Sequence, residues 1–224
     1  MFLEELRKEV VFYGKQMLHS GLTMNTGGNI SARDPKTGLI VIKPTSIPYD
    51  LINPEDVPII DENGKIIEGQ RAPSSEWPMH TLIYRNRPEV MAVVHTHSLY
   101  AIACSVANIE IPLITHEIAV YSSKPIKIAP FEIPGTLGLG EGALKYLEEA
   151  DIVVLKHHGP LAIGINLWHA FDAACAVEQA AFALYATKIL GNFDIVPSEG
   201  LKALRGSNLF RQFNNGNTSV VKNV

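Results

Sequence analysis

Cysteine is scarce in this chain, with only Cys104 and Cys175 among 224 residues. Both lie in apolar, helix-like sequence, so neither their number nor their placement favours a disulfide framework. Disulfide-dependent scaffolds are mostly secreted, whereas free cysteines in a core are typical of a reducing compartment. The scarcity therefore argues against a disulfide-stabilised fold and predicts a cytoplasmic protein.

Long hydrophobic runs are also missing. No segment approaches the ~20 consecutive apolar residues that a membrane-spanning helix needs. The start of the chain, from Met1 to Lys8, is charged and amphipathic and lacks the apolar stretch of a secretion signal. We therefore expect a soluble protein with no membrane partner.

The chain has no excess of basic charge. Its 19 Lys and Arg residues are outnumbered by 23 Asp and Glu, which gives a net charge of -4 and a pI near 6.1. Proteins that bind the phosphate backbone of nucleic acids usually carry a basic surface, so we expect no nucleic-acid partner. A small anionic ligand is still allowed, because one pocket can be positive on a mildly acidic protein.

Strand-like and helix-like patterns are mixed along the chain. Apolar spacing predicts an amphipathic helix from Leu3 to Leu18 and a long alanine-rich helix from Ala170 to Leu190. Residues 39–43 are rich in β-branched side chains and predict a strand. The length favours one domain over two small ones. We expect that domain to cover residues 1–191 and a partly flexible tail to cover residues 192–224, where the apolar periodicity fades.

Two histidines separated by one residue follow the apolar run 91–94. Side chains alternate between the faces of a strand, so His95 and His97 project to the same side and can bind one metal ion. Catalytic zinc sites use about three protein ligands, so two histidines are not sufficient. An ordinary pair of strand-end histidines is the alternative. A second apolar strand, 151–156, also ends in histidines, His157 and His158, before the turn residue Gly159.

Two polar segments beside strands are candidates for binding an anion. The loop Gly27-Gly28-Asn29 precedes a short strand, and glycines let backbone N–H groups approach a ligand closely. A plain turn before the strand is the alternative. Thr45 and Ser46 follow the strand 39–43 and offer two hydroxyls as a second anion cradle.

A third candidate is the helix start after Pro73. Ser74 and Ser75 can be ordinary N-cap residues, with Glu76 in the first turn complementing the helix dipole. The same residues can also surround an anion at the helix N-terminus while Glu76 faces a metal ion. His80 lies one turn later and is either a further ligand or a helix-surface or packing residue.

His116 and Glu117 stand in a hydrophobic part of the sequence, where pKa values often shift. The pair can be catalytic or can be a satisfied buried pair, and the residues alone leave both interpretations open.

Five short motifs occur in a fixed order along the chain: Gly27-Gly28-Asn29-Ile30-Ser31, Lys43-Pro44-Thr45-Ser46-Ile47, Pro73-Ser74-Ser75-Glu76, Val94-His95-Thr96-His97 and His157-His158-Gly159. This ordered set resembles the class II sugar-phosphate aldolase and epimerase family, which also contains the adducin head domain. The resemblance covers roughly residues 3 to 190. It implies an α/β fold with three layers, α/β/α, around a mostly antiparallel sheet, and a homotetramer with active sites near subunit interfaces.

The resemblance also implies roles for individual residues. Zn2+, or another divalent transition metal, would be held by His95, His97 and His158, with Glu76 as a fourth ligand that can leave the metal and act as base. His157 would then be exposed or lie behind the ligands. The implied phosphate contacts are Gly28, Asn29, Thr45, Ser46, Ser74 and Ser75.

The implied reaction is the reversible cleavage of a ketose 1-phosphate, above all L-fuculose 1-phosphate, through a metal-stabilised enediolate with Glu76 as base. The family's tail tyrosine has no match, because no tyrosine follows Tyr185. His116 is therefore the expected proton donor, with Glu117 and Tyr121 as alternatives. Two alternative functions remain. One is an L-ribulose-5-phosphate 4-epimerase, although that enzyme would prefer Asp at position 76. The other is a metal-free adducin-like scaffold.

Overall fold

Eight strands, numbered along the chain, form one sheet in the computed structural model, which describes residues 1–148 and 150–206. The strands are β1 Asn29–Arg33, β2 Ile40–Ile42, β3 Ile59–Ile60, β4 Ile66–Glu68, β5 Ala92–His95, β6 Ile128–Ala129, β7 Ile152–Leu155 and β8 Gly159–Gly164. Their order across the sheet is β4-β3-β2-β1-β5-β8-β7-β6. Every neighbouring pair is antiparallel except β6 and β7, which are parallel.

Helices cover both faces of the sheet. They are α1 Glu4–His19, α2 Trp77–Asn86, α3 Leu99–Val106, α4 Ile118–Tyr121, α5 Leu137–Leu147, α6 Leu167–Leu190 and α7 Ser198–Gly206. One apolar core joins the sheet to α1, α3, α4 and α6, and a second core joins the other face to α2 and α5. The expected three-layer α/β/α fold with a mostly antiparallel sheet is confirmed. Within the described ranges, no helix is both long and apolar enough to cross a membrane.

The central strands bury residues on both faces of the sheet. In β5, Ala92 and Val94 belong to the first core, and Val93 belongs to the second. A strand that is covered on both sides must be apolar throughout, which explains why β2, β5 and β7 show continuous apolar runs without alternation.

Strand β1 alternates differently, because one of its faces carries polar side chains. Ile30 and Ala32 pack in the first core. Asn29 and Ser31 are buried as well, and they contact side chains from the start and the middle of α2. The face of the sheet under α2 is therefore polar at this point, and this polarity positions the candidate site.

The β7–β8 hairpin was only half predicted. The strand before His157 is present, but β8 itself was not expected, because its first residues, Gly159 and Pro160, are typical of a turn. In the hairpin His157 has a left-handed φ of 58° and Gly159 a φ of 145°. Strand β8 then pairs with β5, His95 opposite Leu161. This pairing places the hairpin turn beside the end of β5.

One further sequence-based alternative differs from the structure. Helix α2 begins at Trp77 with Glu76 itself at the N-cap, so Ser74 and Ser75 are not the N-cap. The segment after residue 191 contains α7, which was not expected, while residues 207–224 lie outside the described part of the chain. The domain boundary at residue 191 stays a prediction.

Gly159 generates a prediction about stability, because a side chain has no room at this position. A Cβ atom there would lie 2.1 Å from the carbonyl oxygen of Thr96. We expect Gly159→Ala to lower the free energy of unfolding by about 3 kcal/mol, through backbone strain and steric displacement together. Chemical denaturation measures the change.

Gly38→Ala is the matched control. Gly38 also has a left-handed φ, 73°, but has open space where a Cβ would lie. Its substitution should cost about 1 kcal/mol. Equal losses for the two variants would contradict the steric argument.

Candidate metal centre and anion cavity

Three imidazoles converge at the end of the central strands. One ligand atom from each of His95, His97 and His158 lies within 4.8 Å of the others. His95 ends β5, His97 follows it, and His158 lies in the β7–β8 turn. The structure thus brings together the three histidines that the sequence singled out, whereas His157 is exposed.

Glu76 joins this cluster from the other side. As the N-cap residue of α2 it is buried, and its Oε1 lies 3.2 Å from Nε2 of His158. Its Oε2 lies 3.4 Å from Nε2 of His95. Three imidazoles and one carboxylate therefore face one another in a small volume.

The hydrogen bonds of His95 test whether these four side chains could be the ligands of a metal ion. Its Nδ1 lies 2.9 Å from the carbonyl oxygen of Pro160. A carbonyl only accepts, so Nδ1 carries the proton and Nε2 presents a lone pair. That lone pair faces Oε2 of Glu76, which also accepts only, and it lies 3.3 Å from Nε2 of His158. An imidazole nitrogen and a carboxylate oxygen, both acceptors, therefore face each other. Zinc binds both kinds of atom, so the cluster fits a bound cation.

Burial sets the charge of the histidines. It lowers the pKa of His95 well below 6.5, and the nearby His158 and His97 act in the same direction. Burial also lowers the pKa of His97, again with a contribution from His158. Both imidazoles are therefore neutral near pH 7, which is the form that binds a metal ion.

A polar cavity of about 240 Å³ adjoins the histidines. All six residues proposed as phosphate contacts line it, together with Glu76, His97 and His158. The full lining is Thr26, Gly27, Gly28, Asn29, Lys43, Thr45, Ser46, Ser74, Ser75, Glu76, His97 and His158.

Backbone bonds hold the two hydroxyl-bearing segments of the cavity together. Pro44 and Pro73 form an isolated antiparallel bridge. On either side of it, Thr45 N–H donates to the carbonyl of Ala72 at 3.0 Å, and Ser74 N–H donates to that of Lys43 at 2.9 Å. Segments 44–46 and 72–75 therefore reach the cavity as one unit, although about 30 residues separate them in the chain.

The glycine loop fits closely against the histidine segment. Gly28 has a φ of 65°, and a Cβ there would lie 2.5 Å from the carbonyl oxygen of His95. The pair Gly27-Gly28 is thus more than a turn, because the absence of side chains lets the loop line the cavity beside the imidazoles.

Lys43 was missed as a site residue. It is the only lysine or arginine among the residues that line the cavity, and it is buried. Its Nζ donates to the carbonyls of Pro44 and Thr26 and lies 4.8 Å from the ring centroid of Tyr49. Within the described ranges it forms no ion pair, and burial lowers its pKa to about 8. The sequence did contain one sign of this role, because a lysine directly follows the apolar run 39–42.

The expected proton donors do not line the cavity. His116 is 66% exposed and pairs with Glu117 at 3.2 Å, so the expected hydrophobic setting is wrong. The Tyr121 hydroxyl donates to Asp172 on α6. Burial and that carboxylate raise the pKa of Tyr121 well above 10. The apolar residues that flank His116 and Glu117 in the sequence did not predict the surroundings of these side chains in the fold.

His80 does not belong to the metal cluster. It is fully buried, with its ring nitrogens on Asn29 and Ser31, so it is neither a helix-surface residue nor one of the three converging imidazoles.

Comparisons with known proteins agree with this geometry. The family model "Class II Aldolase and Adducin N-terminal domain" matches residues 8–185. A 5-deoxy-D-ribulose 1-phosphate aldolase of Bacillus thuringiensis is 39% identical, over 91% of this chain and 95% of its own length. An L-fuculose phosphate aldolase of Escherichia coli K12 is 37% identical, over 83% of this chain and 84% of its own. A solved structure of an L-fuculose 1-phosphate aldolase superposes with a TM-score of 0.84 at 34% identity, covering 89% of this chain and 94% of that one. The chain belongs to the class II aldolase and adducin N-terminal domain family.

Proposed function

We propose that this protein is a metal-dependent aldolase that cleaves a ketose 1-phosphate into dihydroxyacetone phosphate and a short aldehyde. The observation that carries the proposal is the joint presence of three converging imidazoles, a buried carboxylate and an adjoining polar cavity with one buried lysine. The relatives named for 5-deoxyribulose 1-phosphate and fuculose phosphate support this substrate class. Both of these ketose phosphates release an aldehyde that ends in a methyl group.

The metal ion would be held by His95, His97 and His158, with Glu76 close enough to be a fourth ligand. When bound, it supplies a Lewis acid that stabilises negative charge at the substrate carbonyl. Zinc suits the imidazole and carboxylate donors.

Glu76 is the proposed base. In the direction of bond formation it takes a proton from the carbon next to the carbonyl of dihydroxyacetone phosphate, and in cleavage it returns that proton. A carboxylate buried beside the imidazoles is held where the reacting carbon must lie, which is what general base catalysis requires. His116 stays the proposed proton donor for the aldehyde oxygen; because it does not line the cavity of its own chain, it would act from a neighbouring subunit of the predicted homotetramer.

The phosphate group would occupy the cavity. Thr45, Ser46, Ser74 and Ser75 offer hydroxyls, and the glycine loop lets the backbone and the side-chain amide of Asn29 approach the phosphate. Lys43 adds the positive charge that this set otherwise lacks. A metal-free scaffold gives no reason to keep Glu76 and three histidines together, so the enzyme is the favoured function. The homotetramer and the cytoplasmic location stay predictions.

Turnover assays test the function directly. Purified protein should cleave 5-deoxyribulose 1-phosphate or L-fuculose 1-phosphate faster than L-rhamnulose 1-phosphate, and should not epimerise L-ribulose 5-phosphate. Exhaustive chelation should remove the activity, and Zn2+ should restore it, because the Lewis acid is then returned. Metal analysis should find about one ion per chain. Full activity after chelation, or epimerisation as the main reaction, would refute the proposal.

Glu76→Gln should lower kcat by roughly a hundredfold or more, because the amide cannot accept the proton. Affinity for inorganic phosphate, measured by calorimetry, should stay near the wild-type value. Glu62→Gln, in an exposed turn, is the control and should leave both quantities unchanged. An active Glu76→Gln enzyme would exclude Glu76 as the base.

Lys43 gives a prediction about pH. Because burial lowers its pKa to about 8, Lys43 is charged below that pH and neutral above it. Sulfate keeps its charge above neutrality, so the affinity of the metal-free protein for sulfate should fall as the pH rises through about 8. Lys43→Met should bind sulfate weakly at every pH, and the exposed control Lys65→Met should behave like wild type. A pH-independent affinity in the wild-type protein would exclude Lys43 as the charged anion contact.

A further inference from the structure

A buried chain of hydrogen bonds runs from the middle of α2 to Glu76. The Tyr84 hydroxyl lies 2.8 Å from Oγ of Ser31, which lies 2.7 Å from Nδ1 of His80. Nε2 of His80 lies 2.5 Å from Oδ1 of Asn29. The amide nitrogen of Asn29 donates to Oε2 of Glu76 at 2.7 Å. All five side chains are buried.

The carboxylate at one end fixes the direction of the whole chain. A carboxylate accepts only, so Asn29 presents its NH2 group to Glu76 and its carbonyl oxygen to His80. His80 must then donate from Nε2 and accept at Nδ1 from the hydroxyl of Ser31. The oxygen of Ser31 in turn accepts from Tyr84. The contacts are thus satisfied by one arrangement of protons, in which His80 is a neutral Nε2–H tautomer.

The protonation states agree with this arrangement. Burial lowers the pKa of His80 to about 3, so the ring is neutral near pH 7. Burial also raises the pKa of Tyr84 well above 10, so the phenol keeps its proton. Each residue is therefore able to donate one hydrogen bond in the required direction.

The amide of Asn29 has a particular consequence for Glu76. Oε2 faces the lone pair of His95 at 3.4 Å, and two acceptors repel each other at such a distance. The N–H of Asn29 is the donor that holds this oxygen in place. The carbonyl oxygen of Asn29 and one N–H of its amide are occupied in this way, and the second N–H is left for another acceptor.

We infer that Asn29 is a positioning residue for Glu76, and that His80, backed by Ser31 and Tyr84, fixes the orientation of the Asn29 amide. The inference rests on the proposed role of Glu76 as base. It assigns one N–H of the Asn29 amide to Glu76 and leaves the second N–H for the phosphate contact expected of this residue. Groups that orient a ligand or base from behind typically change activity or metal affinity by roughly 10- to 100-fold when removed.

The tautomer of His80 in the metal-free protein provides the first test. The 15N chemical shifts of an imidazole distinguish a protonated nitrogen from a bare one, and the His80 signals are identified by their loss in His80→Gln. We expect a protonated Nε2 and a bare Nδ1. A protonated Nδ1 would reverse the chain and overturn the inference. This measurement needs no substrate, so it stands even if no ketose phosphate is turned over.

Substitutions provide the second test. Asn29→Ala and His80→Leu should each lower kcat by roughly 10- to 100-fold. His80→Leu, which removes no proposed anion contact, should keep an affinity for sulfate close to that of wild type, whereas Ser75→Ala, which removes one, should weaken sulfate binding. His80→Gln should recover part of the lost kcat, because its amide can again donate to Asn29. An unchanged kcat in Asn29→Ala or in His80→Leu would overturn the inference.

Tyr84→Phe covers the case in which His80→Leu does not fold. It keeps the aromatic ring and removes only the first donor of the chain. We expect a smaller loss of kcat with unchanged sulfate affinity and a changed 15N shift at Nδ1 of His80, because the Ser31 hydroxyl loses its own donor. An unchanged shift together with an unchanged kcat would show that the chain does not act as a unit, and would overturn the role of Ser31 and Tyr84.

Discussion

The antiparallel pairing of β5 with β1 and β8 is the constraint on which the site depends. In this register Asn29 lies opposite His95, and residues directly opposite each other share a face of the sheet. That face lies under α2, whose N-cap residue is Glu76. A slip of one residue would turn His95 to the other face and exchange it for Val94. Such a slip would put the His95 imidazole into the first apolar core, away from the carbonyl of Pro160, and the cost of burying an unpaired polar group opposes it.

This register forces polar groups together at a cost. Neutral imidazoles and a carboxylate are buried with their acceptor atoms facing one another, an arrangement that a protein optimised only for stability would avoid. The fold compensates with few hydrogen bonds: Nδ1–H of His95 donates to the carbonyl of Pro160, and the amide of Asn29 donates to Glu76. A cation would satisfy the remaining acceptors, so the same crowding that lowers stability is what makes the site able to bind one.

The sequence predicted those parts of this arrangement that depend on local periodicity. Short-range patterns predicted the shared side of His95 and His97 and the long helix that ends at Leu190. The resemblance of the motifs predicted the layered α/β fold. Strand β8 was not predicted, because Gly159 and Pro160 open it with turn-like residues. The environment of His116 was predicted wrongly, since apolar neighbours in sequence do not place a side chain in a core. The roles of Lys43 and His80 depend on contacts between distant segments, which no local pattern encodes.

The residues of the cavity divide into a part that the fold fixes and a part that it does not. The metal cluster, Glu76 and the anion cavity are built from central strands, the start of α2 and loops tied to both by backbone bonds. None of the three candidate proton donors lies on that wall. In the proposed function, the end of the cavity that would bind phosphate and hold the base is therefore common to any substrate that shares the dihydroxyacetone phosphate half. Discrimination must come from groups that contact the other half of the substrate, beyond the sheet. That division explains how relatives that carry the same fold bear the names of different ketose phosphates.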